Sequence, residues 1–282
     1  MLVIWIIVFT ALGGTLSALV AGAFLLVPQR VSVHLLGPLV SFAIGALLGT
    51  AFLALLPHAI TGAGAANIHS VALTVLFGLI VFFLLEKMVI WRHCHHDECE
   101  VHAPGTATVD SHRHIAASTA HHTHGVNAIS EGRRRAVGNL ILIGDGVHNL
   151  VDGVLIAAAF MTDVHLGILT SLAVIAHEIP QELGDFALLL NSGFTRARAL
   201  GYNVLSGLTT VFGGVVAYYA LADALWLTPY VLAIAASSFI YIAVADLIPG
   251  LHQRPEVAAT VQQVALILAG IGVIFVSHSF MH

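Results

Sequence analysis

The chain has 282 residues, of which 58% are apolar and only 9% are charged, with a formal net charge of −5. Soluble domains carry roughly 25% charged residues, so this composition excludes a cytosolic enzyme, a nucleic-acid-binding protein and a disordered scaffold. Lipid must solvate most of the surface, and in lipid every backbone polar group needs an internal partner. We therefore expect an all-α integral membrane protein.

Eight apolar stretches follow one another along the chain, each close to or above the ~20 residues that a helix needs to cross the hydrocarbon. Glycine, proline and polar residues separate them. They cover residues 2–27, 35–60, 68–91, 137–161, 165–191, 195–221, 228–250 and 257–281. The predicted organisation is helices 1–3 in residues 1–91, a soluble segment in 92–136, and helices 4–8 in 137–282.

The ten basic residues predict the orientation of these helices. All ten lie in or beside the first, third, fifth and seventh connections, and the other three connections contain none. Positive charge favours the cytoplasmic side of a membrane. We therefore expect segment 92–136 in the cytoplasm and both termini outside it, in an inner or plasma membrane.

Segment 92–136 contains nine of the 18 histidines, and small polar residues fill most of the rest. It has too few apolar residues to form a core, so we expect a disordered loop. Its first residues combine imidazoles with thiols, which are ligands that suit zinc. These residues are His93, Cys94, His95, His96 and Cys99. They predict a weak, multi-site metal sink, and the alternative is a solvated linker that is rich in histidine.

Predicted spans four and five carry five carboxyl groups and no lysine or arginine. A carboxylate at the bilayer centre costs roughly 2.5–3.5 kcal/mol even on the insertion scale. Protons or a bound cation must therefore compensate the negative charge. This favours a cation pathway over a polar contact that only joins two helices.

The spacing of the polar residues indicates a metal site. His148 and Asp152 are four residues apart, and so are His177 and Gln181, so each pair shares one helical face. Imidazole nitrogens with oxygen ligands suit Zn²⁺, Fe²⁺, Mn²⁺ or Cd²⁺ better than Ca²⁺ or Mg²⁺. Weaker candidates for the pathway are Asp145, Glu182, Asp185, His58, Asp246 and Ser206.

Two helix ends resemble each other and are expected on opposite membrane faces. They read Leu55-Leu56-Pro57-His58 and Asp246-Leu247-Ile248-Pro249. This similarity indicates an inverted repeat that relates spans one to three to spans six to eight.

Together these features resemble the ZIP (Zrt/Irt-like) family of metal transporters over essentially the whole chain. The motifs are His148-Asn149-x-x-Asp152-Gly153, His177-Glu178-x-Pro180-Gln181-Glu182-x-Gly184-Asp185, Leu55-Leu56-Pro57 and Phe239-Ile240-Tyr241-Ile242-Ala243. The chain departs from the signature of one large subfamily at Gln181, where that signature has histidine.

The resemblance implies a prokaryotic ZIP member with a 3+2+3 helix arrangement, a homodimer, and import of metal into the cytoplasm by alternating access. It implies a primary metal site and a neighbouring one, with Asp152 able to bridge them. The primary site would use His148, Asp152, His177 and Gln181, and the neighbouring site Asn149 and Glu178. Zinc or another divalent metal would be the substrate, with no catalytic cofactor.

Two other functions fit parts of the pattern. A cation diffusion facilitator exports zinc and can carry His148-x-x-x-Asp152, but it normally has six spans. An intramembrane metalloprotease would use an HExxH string beginning at His177, and here the second zinc histidine is replaced by Gln181.

Overall fold

The computed structural model describes residues 1–24, 29–93, 123–252 and 256–279, and these ranges form helices and turns without a β-strand. The prediction of an all-α protein is confirmed. The helices are α1 (Leu2–Ala11), α2 (Ser17–Phe24), α3 (Gln29–Gly49), α4 (Leu56–Ala63), α5 (Ile68–His93), α6 (Thr123–Thr162), α7 (Val164–Asn191), α8 (Arg196–Ala222), α9 (Thr228–Tyr241), α10 (Ile248–Leu251) and α11 (Val257–Ser279).

Seven helical stretches in the described ranges are long and apolar enough to cross a membrane. They are Leu2–Phe24, Leu35–Ala63, Ala65–Lys87, Ile141–Thr162, Arg196–Ala222, Leu225–Leu251 and Val257–Ser279. The remaining predicted span, 165–191, coincides with α7. Its 28 residues extend about 42 Å at the α-helical rise, but α7 carries three carboxyl groups and is not among the seven stretches.

The boundaries of the histidine-rich segment differ from the prediction. Helix α5 continues to His93, and α6 already begins at Thr123, so residues 92–93 and 123–136 are helical rather than part of a disordered loop. Once a helix is nucleated, each further residue adds a hydrogen bond at little cost, and 123–136 contain no proline to stop it. Residues 94–122 lie outside the described ranges.

The two similar helix ends share a local backbone structure. A π-helical segment, Thr50–Leu55, precedes α4, and another, Ile242–Leu247, precedes α10. In each case a proline is the second residue of the following helix. Proline lacks the N–H that would continue the α-helical pattern, and the wider π turn accommodates this loss. The short sequence similarity therefore corresponds to a shared structural feature.

Helices α6 and α8 approach each other closely because glycine lies at their interface. A Cβ atom at Gly153 would collide with the carbonyl of Thr210, and one at Gly213 would collide with the carbonyl of Leu150. Small residues at such contacts let two backbones meet, which is a common way to join helices in membranes. The close contact brings the polar side chains of α8 beside those of α6.

A one-residue turn at Asp163 joins α6 to α7. The Asp163 carboxylate accepts hydrogen bonds from the backbone N–H of His165 at 2.8 Å and of Leu166 at 3.1 Å, which caps α7. Partial burial acts to raise the pKa of this carboxyl, but the hydrogen bonds outweigh it and hold the pKa below its usual value. The cap fixes the point from which α6 and α7 run antiparallel.

Candidate metal centre

The α6–α7 hairpin determines which residues lie at the same depth. His148 precedes Asp163 by 15 residues, and His177 follows it by 14. At the α-helical rise both lie about 22 Å from the turn. Two antiparallel helices that leave one turn must bring residues at equal distances from it to the same level. His148 and His177 therefore face each other although they are 29 residues apart.

Four side chains converge at this level: His148 and Asp152 from α6, with His177 and Glu178 from α7. Each offers one ligand atom, and these atoms all lie within 4.8 Å of one another. The Nε2 atoms of the two histidines are 3.3 Å apart. Nε2 of His177 lies 3.2 Å from Oδ2 of Asp152, and Nε2 of His148 lies 3.3 Å from Oε1 of Glu178. Two nitrogens and two carboxylates thus surround one small volume.

The His177 ring is held in a defined orientation. Its Nδ1–H donates to the carbonyl of Ala173 at 3.0 Å, so the lone pair of Nε2 faces the cluster. Metal-binding histidines are commonly oriented by such a hydrogen bond on the other ring nitrogen. The contact prepares His177 to bind a cation through Nε2.

Burial makes the two carboxylates of the cluster costly without a cation. The side chains of Asp152, His177 and Glu178 are at most 1% exposed, whereas that of His148 is 23% exposed. Neither oxygen of Asp152 or Glu178 accepts a hydrogen bond within the described ranges, and no lysine or arginine there forms an ion pair with them. A buried carboxylate needs a counter-charge, and the mixed nitrogen and oxygen ligands suit a divalent transition metal.

Comparison with known proteins identifies the family. The family model described as "ZIP Zinc transporter" matches residues 1–278. The chain belongs to the ZIP family.

Several curated ZIP relatives are named zinc transporters. Human zinc transporter ZIP5 is 32% identical over 310 residues, an alignment that covers 93% of this chain and 56% of ZIP5. Mouse zinc transporter ZIP13 is 30% identical, with 83% of this chain and 67% of the relative covered. Zinc transporter zipt-7.1 of Caenorhabditis briggsae is 30% identical, in an alignment that covers 97% of this chain and 79% of that relative. The chain therefore spans a little over half the length of ZIP5.

Asn149 and Gln181, which the ZIP resemblance also implies as ligands, lie beside the cluster in different ways. The Asn149 amide nitrogen donates to Oδ1 of Asp145 at 2.9 Å, and its oxygen accepts from Thr210 at 2.7 Å. These contacts orient Asn149 as a buried neighbour of the four converging side chains. Gln181 lies one helical turn after His177 and is half-buried, so its role as a ligand stays a prediction.

The weaker candidates fall into separate groups. Asp145, Glu182 and Ser206 are buried, and Asp185 is half-buried; they lie beyond the cluster, away from the Asp163 turn. His58 donates through Nδ1–H to the Ala54 carbonyl at 2.8 Å, and its ring centroid is 6.0 Å from that of His278, outside the cluster. Asp246 is exposed in the second π-helical segment, within electrostatic range of His148 and His177.

The predicted loop ligands are not part of the described site. His93 is the last residue of α5. Cys94, His95, His96 and Cys99 lie outside the described residues. The metal-sink prediction for this segment therefore stays a prediction.

Sequence reasoning missed the contributions of Thr210 and of Glu86. Thr210 holds Asn149 from α8, and the Tyr241 hydroxyl donates to the Glu86 carboxylate, which joins α5 to α9. The glycines next to Thr210 in α8 were the available signal for the first contact, because they mark a face where another helix approaches closely. No local spacing pattern signals the second contact.

Proposed function

We propose that this ZIP protein transports divalent transition-metal ions, with zinc preferred and iron, manganese or cadmium as further substrates. The observation that carries the proposal is the convergence of His148, Asp152, His177 and Glu178 within 4.8 Å, inside two helices of membrane-spanning length. The metal is the substrate rather than a resident cofactor, and no catalytic reaction is proposed. The names of the relatives, which are zinc transporters, support zinc as the preferred substrate.

The proposed architecture has eight spans in a 3+2+3 arrangement, with α7 as the fifth span. The pairing of helices supports the inverted repeat. The second span packs on the eighth through α3 and α11, and the third packs on the seventh through α5 and α9. A twofold relation between spans 1–3 and 6–8 would make these two contacts equivalent. It would likewise relate the contact of α6 with α8 to that of α7 with α2.

We propose import into the cytoplasm, with residues 92–136 cytoplasmic and both termini outside, in an inner or plasma membrane. The distribution of basic residues supports this orientation. Alternating access is proposed because three of the four side chains are sealed while His148 is 23% exposed. An ion could thus approach from one side of the bundle and need a rearrangement to leave by the other. Resemblance to the family supports a homodimer.

Metal uptake by proteoliposomes tests the proposal. His148→Ala and His177→Ala should each reduce zinc uptake about tenfold or more, because removal of one ligand leaves a buried ion under-coordinated. His69→Ala is the matched control, since His69 is exposed and remote from the cluster in sequence. Uptake by both variants at the level of the control would contradict the assignment. Outward-only flux would favour an exporter, and cleavage of a peptide would favour a protease.

A further inference from the structure

A second group of carboxyl groups lies about one helical turn beyond the four converging side chains. Asp145 precedes Asp163 by 18 residues, and Glu182 follows it by 19, so these two residues also share one depth. This level is about 6 Å farther from the turn than that of His148 and His177. Asp185 follows Glu182 by three residues on the same helical face. The three carboxyl groups are close enough to interact electrostatically.

Two of these carboxyl groups are buried although some of their oxygen atoms accept no hydrogen bond. Glu182 is fully buried, and neither of its carboxyl oxygens accepts a hydrogen bond within the described residues. Asp145 is 5% exposed; its Oδ1 accepts from Asn149, while its Oδ2 has no donor there. Buried polar atoms in proteins are nearly always satisfied, by protein groups, water or an ion. A proton, a water molecule or a cation would satisfy these oxygen atoms.

Helix α8 provides an independent observation. Asn203 is fully buried and Ser206 is 5% exposed, and they face the carboxyl groups of Glu182 and Asp145 respectively. The Asn203 amide nitrogen donates to the Glu182 backbone carbonyl at 3.4 Å, which holds the side chain in place. By strict hydrogen-bond geometry, Oδ1 of Asn203 and Oγ of Ser206 have no partner among the described residues, although both side chains lie near enough to the two carboxyl groups to interact with them. A third helix thus directs two neutral oxygens into the same space.

We propose that Asp145, Glu182 and Asp185, together with Asn203 and Ser206, form a second divalent-cation site that has oxygen ligands only. The proposal rests on the proposed function for the identity of the ion, which is the transported metal. Its ligands are harder than the imidazoles of the first site, so it should prefer Mn²⁺ relative to Zn²⁺ more than the first site does. Among the described residues, only the first site brings its ligand atoms within 4.8 Å, so an ion here would keep some of its water.

The second site would bind the ion transiently after it leaves the first site. It lies toward the end of the hairpin where α6 begins and α7 ends, at Thr123 and Asn191. An ion that leaves two imidazoles would meet carboxylate oxygens about one turn away, in a position that binds zinc more weakly. The carboxyl groups would then compensate its charge during passage, as buried acidic residues do along ion pathways.

Electron-nuclear spectroscopy of bound Mn²⁺ in the purified full-length chain distinguishes the two sites. Mn²⁺ bound by histidine shows coupling to nitrogen, whereas Mn²⁺ bound by oxygen alone does not. The wild-type protein should bind Mn²⁺ in both environments, with nitrogen coupling at the first site and without it at the second. The isosteric variant Glu182→Gln/Asp185→Asn should lose the population without nitrogen coupling, with at least about tenfold weaker binding, and keep the other. Asp223→Asn, at an exposed carboxyl group, is the matched control.

Two outcomes separate this proposal from the proposed function. Retention of the oxygen-only Mn²⁺ by Glu182→Gln/Asp185→Asn would overturn the second site. Persistence of nitrogen-coupled Mn²⁺ in the double variant His148→Ala/His177→Ala, with residues 94–122 also deleted, would contradict the first site and leave the second standing. Ser206→Ala is a milder variant that should weaken oxygen-only binding several-fold without removing a charge. Unchanged affinity in Ser206→Ala would remove that residue from the site.

Discussion

Nε2 of His177 on α7 lies 3.2 Å from Oδ2 of Asp152 on α6, inside a part of the bundle where both side chains are at most 1% exposed. This contact joins the two helices that carry most of the acidic residues in the spans. It also relates two residues at unequal distances from the Asp163 turn, 14 and 11 residues away. The Asp152 side chain must therefore extend about one helical turn along α6 toward the level of His148. A cation bound by His148, Asp152 and His177 would hold all three side chains in place.

Asp152→Asn tests whether charge at this position is required. The amide has nearly the same shape but no negative charge, so a divalent ion in a low-dielectric site loses its closest counter-charge. We expect zinc uptake at least about tenfold lower than wild type, with normal insertion. Proteoliposome uptake at matched protein density measures this, and Asp223→Asn controls for removal of an exposed carboxylate. Equal uptake by Asp152→Asn and the control would exclude Asp152 as a ligand.

Thr210→Val tests the support that α8 gives to Asn149. The substitution keeps the side-chain volume but removes the hydroxyl that donates to the Asn149 oxygen at 2.7 Å. The buried oxygen then lacks a partner, which costs about 1–3 kcal/mol. We expect a lower thermal midpoint in detergent and reduced uptake. Thr74→Val is the control, because the Thr74 hydroxyl bonds only within its own helix. Decreases in thermal midpoint and uptake no larger than those of Thr74→Val would contradict this role of Thr210.

Gln181→His should shift selectivity toward zinc if Gln181 faces the metal. The new imidazole favours Zn²⁺ over Mn²⁺, and it restores the fuller subfamily motif. Uptake should also decrease more steeply below about pH 6.5, because a protonated imidazole cannot bind a metal. Competition between zinc and manganese at several pH values measures both effects. A uniform decrease for every metal, without new pH dependence, would instead indicate disturbed packing.

Deletion of residues 94–122 should leave uptake intact. The segment lies between α5 and α6, so its removal changes none of the helices that carry the candidate site. If Cys94, His95, His96 and Cys99 bind metal weakly, the deletion should change how uptake responds to zinc on the cytoplasmic side. The measurement is uptake by vesicles preloaded with different zinc concentrations. Complete loss of uptake in a stably folded deletion variant would make the segment part of the pathway.

Asp163→Ala should destabilise the α6–α7 hairpin by about 1 kcal/mol, because it removes the acceptor that caps α7. Asp163→Asn retains a hydrogen-bond acceptor and should lose much less stability. The lowered pKa of Asp163 adds a pH dependence with a definite sign. Its stabilising contribution is complete above the ordinary aspartate value near 4 and disappears as the pH falls through the lower value of the folded protein. Thermal unfolding at neutral and acidic pH measures both effects.

Composition and helical spacing predicted much of this protein. So few charges in so apolar a chain require a membrane, and the period of the α-helix places His148 and Asp152 on one face of α6 before any tertiary contact is known. The short gap between the predicted spans 137–161 and 165–191 also makes the equal depth of His148 and His177 foreseeable. Local spacing and backbone geometry decide these features, and both can be read directly from the residues.

Other features depend on how the helices pack. Spacing alone puts Gln181 on the same face as His177, yet the carboxylate that approaches His148 is that of Glu178, next to His177 in the sequence. Neighbouring residues on a helix differ in direction by about 100°, so the rotation of α7 against α6 selects which of them points inward. The partners that α8 contributes, Thr210 and Asn203, likewise follow from the glycine-mediated approach of α8 to α6. Helix rotation and contact arise from side chains distant in the sequence, and therefore only the folded bundle determines them.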